Sequence, residues 1–315
     1  MNFSLKNPHS SRERFKAAFT GLFGVVLAFL VASGVRADFE PTANPKTESQ
    51  VIVLPQPLDR GSPARVIIRN IDLEAEVTGK FDDKPIFFFR FEDALVGLFG
   101  ADVMLASGVY PLTVTWGGPV PSGQTILEVT VKEKSYGFRD IKVPQNQVEL
   151  SAEDLARTQR ESQETIKALA TKSPEKLWTG QFIEPVEGHI NSSFGRQTRL
   201  NGILNARPHA GADYLVREGT PVKAPAVGRV ILCDNHFFTG NSIYIDHGQG
   251  LITMYFHLSA IEVAKGDLVE RSQIIGKVGR TGRVTGAHLH YGVYINGARI
   301  DPPVFRHMIA NLLGS

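Results

Sequence analysis

Thr285-Gly286-Ala287-His288-Leu289-His290-Tyr291-Gly292-Val293-Tyr294-Ile295 is the stretch on which the fold turns. From His288 onward it reads as a strand. Side chains at i and i+2 of a strand share a face, so His288 and His290 look the same way and Leu289 points into a core. Working outward, residues 227–232, 242–245, 252–256 and 274–279 also read as strands. His209-Ala210-Gly211-Ala212-Asp213 adds a second histidine and a carboxylate four residues apart. Pro208 and Gly211 argue for an extended segment there, on which positions 209 and 213 again share a face.

The chain has 315 residues, which suggests two domains, and a 42% hydrophobic content that is enough for a packed core. Its formal charge of +2 excludes a strongly basic nucleic-acid binder and an acidic disordered tail. Cys233 is the single cysteine, placed after an apolar run where a buried thiol is expected. With no cysteine cluster, any metal site must be built from histidines and carboxylates.

Lys6, Arg12, Arg14 and Lys16 precede an apolar stretch over residues 17–35, and Val35-Arg36-Ala37 supplies the short residues that a signal peptidase reads. This is a secretory layout with cleavage expected after Ala37. The alternative is a membrane anchor if residues 17–35 stay attached, weakened by Gly21, Gly24, Ser33 and Gly34. Residues 1–37 hold five basic residues and one acid, so their removal takes the net charge to −2. Recognition of a charged polymer must then be local.

Residues 38–50 read as a flexible leader. Residues 51–145 show short β runs broken by glycine turns, as in an Ig-like β-sandwich. The aromatic run Phe87-Phe88-Phe89, with Phe91, Leu95, Val96 and Phe99, reads as the core of that sandwich. Residues 151–172 form a polar linker helix capped by Ser151, with apolar positions too sparse for a coiled-coil seam. Residues 178–310 return to β structure, so the fold class is mainly β.

The two histidine motifs concentrate the chemistry. Two nitrogens and one carboxylate oxygen make a zinc set with an open fourth position, the mark of a catalytic site. Zinc there brings a bound water towards hydroxide near neutral pH and polarises a carbonyl. Either motif alone is weak, and the alternative is a surface strand with partly exposed histidines.

Taken in order, however, the blocks resemble the M23 family of zinc metallopeptidases, the LytM/lysostaphin-like peptidoglycan hydrolases. The first block is His209 to Asp213, then Gly219-Thr220-Pro221-Val222-Lys223-Ala224-Pro225 and Gly228-Arg229-Val230. The second is Gly240-Asn241-Ser242-Ile243-Tyr244-Ile245-Asp246-His247-Gly248, then Tyr255-Phe256-His257-Leu258-Ser259. The third is Gly276-Lys277-Val278-Gly279-Arg280-Thr281-Gly282, then Thr285 to His290. Asn191-Ser192-Ser193-Phe194-Gly195-Arg196 looks like the segment that opens this domain, and Arg271-Ser272 stands where many members have a glycine turn.

The resemblance implies an antiparallel β catalytic domain over residues 178–310 and one Zn2+ per chain. His209, Asp213 and His290 resemble the ligands. His288 matches the expected general base, and His257 the second histidine that hydrogen-bonds the water or the oxyanion. The implied activity is hydrolysis of peptide bonds in peptidoglycan stems or cross-links, with a D-Ala–diaminopimelate cross-link suggested by the Gram-negative type of N-terminal half. The expected partner is peptidoglycan, not nucleic acid, and the expected place is the periplasm or cell envelope. A different class of function is a non-catalytic envelope factor that binds peptidoglycan or activates an amidase, but such relatives usually lack several of these residues. The oligomeric state is not legible.

Asn205, Arg207 and Tyr255 are candidate substrate contacts. His247 reads as a structural turn histidine and His236 as a loop or packing residue. A rigid linker helix could also fold the N-terminal half over the groove.

Overall fold

The computed structural model describes residues 49–117, 123–142, 149–190, 194–204 and 207–312. The signal or anchor segment, the leader up to residue 48, Asn191-Ser192-Ser193 and Asn205 lie outside them. Among the described residues no helix is long and apolar enough to cross a membrane. The chain is mainly β, with two helices among the described residues.

Two sheets share the N-terminal half. One orders β1 (Gln50–Leu54), β3 (Pro63–Arg69), β7 (Ala94–Gly100) and β6 (Phe88–Phe91), all antiparallel. The other orders β2 (Leu58–Asp59), β9 (Gly123–Lys132), β8 (Gly108–Gly117), β4 (Glu76–Phe81) and β5 (Lys84–Ile86). The first sheet has no free face at β7, where every residue is buried. Leu95 and Phe99 point to the second sheet and pack with Phe81, Leu112 and Val129. Ala94, Val96 and Leu98 alternate to the opposite side and join a second core with Trp178, Phe182, Leu251 and Ile295. The period of two thus sends one strand's side chains into two cores.

This changes the reading of the aromatic run. Phe88 and Phe99 do pack inside the two-sheet core. Phe89 faces away from it, and its ring lies 5.5 Å from Trp178, edge-on. The edge-to-face series continues through Phe182 to Phe305, at 5.4 and 5.1 Å.

A ten-stranded sheet forms the C-terminal half. Its main path runs β11 (His189–Ile190), β14 (Ala212–Leu215), β21 (Leu289–Ile295), β18 (Leu251–Ile261), β17 (Gly240–Asp246), β16 (Gly228–His236) and β19 (Leu268–Val269). Off that path, β15 (Pro221–Lys223) pairs with β20 (Ile274–Val278), which joins β18, and β22 (Ala298–Ile300) pairs with β21. On β18, Leu251 and Tyr255 enter the core shared with β7, while Ile252 and Met254 take the other face. A separate small sheet orders β10 (Phe138–Ile141), β12 (Gln197–Leu200) and β13 (Ile203–Leu204).

Helix α1 (Ala152–Leu169) is capped by Ser151, whose Oγ accepts the Asp154 N–H at 3.0 Å. Its last turn brings Ala168 and Leu169 onto Tyr244 and Met254. Helix α2 (Pro302–Ala310) begins with prolines, which suit a first turn whose N–H groups have no intrahelical partner. Ser272 holds φ at +73° and donates its N–H to Ala224 O at 2.9 Å. A non-glycine residue occupies the left-handed region there at a cost of about 1 kcal/mol.

Candidate metal centre

Register assembles the centre. Asp213 on β14 lies directly opposite His290 on β21, which lies directly opposite Phe256 on β18. The Phe256 and His290 rings stack, 5.2 Å apart and 3° from parallel. His209 enters from the segment before β14, where its N–H donates to Arg196 O at 2.9 Å. Gly211 lies behind His290, because a Cβ at that position would come within 2.5 Å of both His290 Nε2 and Tyr291 O.

Three potential ligand atoms meet in a small triangle. His209 Nε2 is 3.0 Å from Asp213 Oδ1 and 3.0 Å from His290 Nδ1, and His290 Nδ1 is 2.9 Å from Asp213 Oδ1. Protons satisfy such a triangle poorly: if both rings donate to the carboxylate, two N–H groups face each other. A cation between the three atoms accepts all three lone pairs. Edges of this length suit nitrogen and oxygen ligands about 2.0–2.1 Å from zinc, so the residues fit the metal that the resemblance implies. Burial alone would raise the pKa of Asp213, but hydrogen bonds from His209 and His290, and their charges, hold it well below the usual carboxylate range. His290 is shifted down, first by burial, which keeps it neutral and fit for ligation.

Two further histidines face the same place. His288 precedes β21 and bridges to Gly279. Its Nδ1 lies 2.9 Å from Gly286 O and its Nε2 3.9 Å from Asp213 Oδ1. His257 has φ +65° in the middle of β18. Left-handed backbone breaks the in-out alternation, so Phe256 and His257 both reach the groove although they are neighbours in sequence. The His257 and His288 rings are 4.9 Å apart. His257 Nδ1 lies 2.9 Å from Thr281 O. A carbonyl only accepts, so Nδ1 carries the proton in both rings and each Nε2 presents a lone pair. Burial, followed by the charges of His290 and His288, lowers the pKa of His257 to about 3. A neutral His257 accepts a hydrogen bond at Nε2.

The groove around these groups has a volume of about 460 Å³, and Arg139, Arg196 and Arg283 are among the residues lining it. Arg139 was not singled out from the sequence. It sits on β10, donates from Nε to Thr198 Oγ1 at 3.0 Å and places a guanidinium nitrogen 3.6 Å from Asp213 Oδ2. Asp213 thus turns one oxygen to the histidines and the other to an arginine. No local pattern around residue 139 announces this, since the contact joins segments some seventy residues apart.

The candidate substrate contacts fare differently. Tyr255 is fully buried and its hydroxyl lies 2.8 Å from Thr253 Oγ1, so it faces the core and cannot touch a substrate. Phe256 takes the groove side instead. Arg207 is exposed and lines a neighbouring groove between α1 and the sheet, about 480 Å³ in volume, which also reaches His290. His247 is fully buried, with Nδ1 2.7 Å from Val227 O and Nε2 2.8 Å from Thr253 Oγ1. Cys233 is half-buried, not buried as its sequence context suggested, and burial raises its thiol pKa.

Comparison with known proteins agrees with this geometry. The model of Peptidase family M23 matches residues 207–302. The peptidoglycan DD-endopeptidase ShyA of Vibrio cholerae is 46% identical over 113 residues, 36% of this chain and 26% of that one. The DD-carboxypeptidase/endopeptidase Mpg of Neisseria meningitidis is 44% identical over 125 residues, 39% of this chain and 28% of that one. The match thus spans only about a quarter of the length of these curated relatives. A crystal structure from Pseudomonas aeruginosa, described as a peptidase M23, is similar over a much longer stretch: 80% of this chain and 96% of that one, at 33% identity and a TM-score of 0.62. Likeness on that scale includes the N-terminal sheets as well as the histidine blocks, and it is what shows that this chain belongs to peptidase family M23.

Proposed function

We propose that the protein is an exported zinc endopeptidase that hydrolyses peptide bonds in peptidoglycan, with the D-Ala–diaminopimelate cross-link as its bond. The observation that carries the reading is the triangle of His209, Asp213 and His290 beside two imidazoles whose Nε2 atoms face the same groove. The curated relatives named as DD-endopeptidases support the substrate class. The basic and apolar start of the chain supports export, and the single triangle of two histidines and one aspartate among the described residues supports one catalytic zinc per chain.

His209 Nε2, Asp213 Oδ1 and His290 Nδ1 would hold the metal. When bound, zinc supplies Lewis acidity to a water and to the scissile carbonyl. The chain's residues do the rest. His288 takes the water's proton at Nε2, which lies 3.9 Å from Asp213 Oδ1. The same proton then passes to the leaving amine. His257, held by Thr281 O, accepts a hydrogen bond at Nε2 and fixes the direction in which the water points. Arg139, Arg196 and Arg283 give the groove a positive lining suited to the carboxylates of stem peptides.

The test is digestion of purified sacculi by residues 38–315, with and without chelator, read by mass spectrometry. Cross-linked dimers should convert to monomers, the conversion should stop with chelator and return with zinc, and His288→Ala should abolish it. Undiminished conversion in chelator or in His288→Ala would overturn the reading.

A further inference from the structure

The structure assigns a second metal site, on the seam between α1 and the end of β16, to a transition-metal ion of the zinc class. Its ligands are Glu164, Asp234 and His236. None of them belongs to the catalytic triangle.

His236 is the reason to look there. It ends β16, is only 5% exposed, and its Nε2 is buried without a hydrogen-bond partner. Its ion-pair partner, Glu164 Oε2 at 3.5 Å, does not reach it as a hydrogen bond. A buried ring nitrogen in that state is an exception among buried polar groups and calls for an explanation. Asp234 stands two residues earlier on the same strand and so on the same face. One ligand atom from each of Glu164, Asp234 and His236 lies within 4.8 Å of the other two. Both carboxylates are exposed, while the imidazole is buried.

Neighbouring contacts bring the two elements together. Arg157 on α1 donates to Asn235 O and Oδ1 at 3.0 and 3.1 Å. Glu161 Oε2 accepts the Phe237 N–H at 2.8 Å. Glu164 follows one turn later on the same helical face and comes down over His236. The donor set is one imidazole and two carboxylates. That composition suits zinc and its neighbours better than calcium or magnesium, which favour all-oxygen shells. With three protein ligands and an open side, the site keeps water in its remaining positions and binds more weakly than the catalytic triangle. An ion there fastens α1 where Thr165 and Leu169 wall the groove that reaches His290.

The experiment uses the full mature chain, stripped of metal and titrated with ZnCl2 by calorimetry, with hydrogen exchange over residues 152–169 measured in parallel. Wild type should take up two equivalents, one tight and one weaker, and the second should slow exchange in the helix. Glu164→Ala, a change at an exposed helix position that leaves the fold intact, should weaken the second equivalent at least about tenfold and remove its effect on exchange. His236→Gln should do the same from the other side of the seam. The assignment fails if wild type binds a single equivalent, or if Glu164→Ala keeps the second with unchanged affinity.

Discussion

His247 stays neutral because its two nitrogens are committed in opposite senses. Nδ1 donates to Val227 O, so Nε2 must accept from the Thr253 hydroxyl, which in turn accepts from Tyr255. A proton on Nε2 would break that relay inside the core. Burial lowers the pKa to about 4, from a usual value of about 6.5. Between those values the unfolded chain binds a proton that the native chain does not, so stability falls as pH drops through 6.5 and levels off near 4. In urea titrations from pH 7.5 to 4, His247→Gln should be less stable at pH 7.5 but show a shallower decline, by up to about 1.4 kcal/mol per pH unit. Parallel curves for the two proteins would refute this. At this scale the sequence was informative about residue type and weaker about orientation. Residues 252–256 read as a strand, on which in-out alternation turns only one of Tyr255 and Phe256 to the groove. That alternation could not foresee that left-handed backbone at His257 would turn two consecutive residues towards it.

Among the elements, strand pairing accounts for most of the metal centre. The period of two was legible around His288-Leu289-His290, and the pairing of Asp213 with His290 follows once β14 lies beside β21. The small sheet of β10, β12 and β13 was not legible. Its strands are short, and β10 joins β12 in parallel across a long stretch of chain. That pairing delivers Arg139 to the outer oxygen of Asp213. Groups that orient a ligand's carboxylate typically change metal affinity by about 10–100-fold when removed. Arg139→Ala should therefore weaken zinc binding by about tenfold in a competition titration with a chromophoric chelator, while far-UV circular dichroism stays unchanged. An unaltered affinity would reduce Arg139 to a groove-lining residue.

Across the whole molecule, the two halves are joined by a buried ion pair and a common core. Arg299 gives its backbone N–H, Nε and one terminal nitrogen to Asp102, at 2.8–2.9 Å, and Asp102 is 7% exposed. Asp102→Ala leaves four donors without their acceptor, the three from Arg299 and the Met104 N–H, which donates to Asp102 Oδ1 at 2.9 Å. It should cost about 2–3 kcal/mol, somewhat less than a fully buried pair because the Arg299 side chain remains 28% exposed. A urea midpoint that moves down with unchanged slope would report this, and a shift below about 0.5 kcal/mol would contradict it. The apolar run Ala94-Leu95-Val96-Gly97-Leu98-Phe99-Gly100 gave no hint of this union, because a strand buried on both faces reads the same whichever cores it serves.

That double allegiance bears on how such chains can be recombined. A graft that replaced the N-terminal half by a foreign module would remove Val96, Leu98 and Phe89 from beside Trp178, Phe182 and Leu251, and would leave an apolar wall facing water. A cut just after β7 would strand its Leu95 and Phe99 in the same way on the other side. The sheet holding β7 can be inherited only together with both neighbours, so the two halves, separable on paper at the linker helix, travel as one unit.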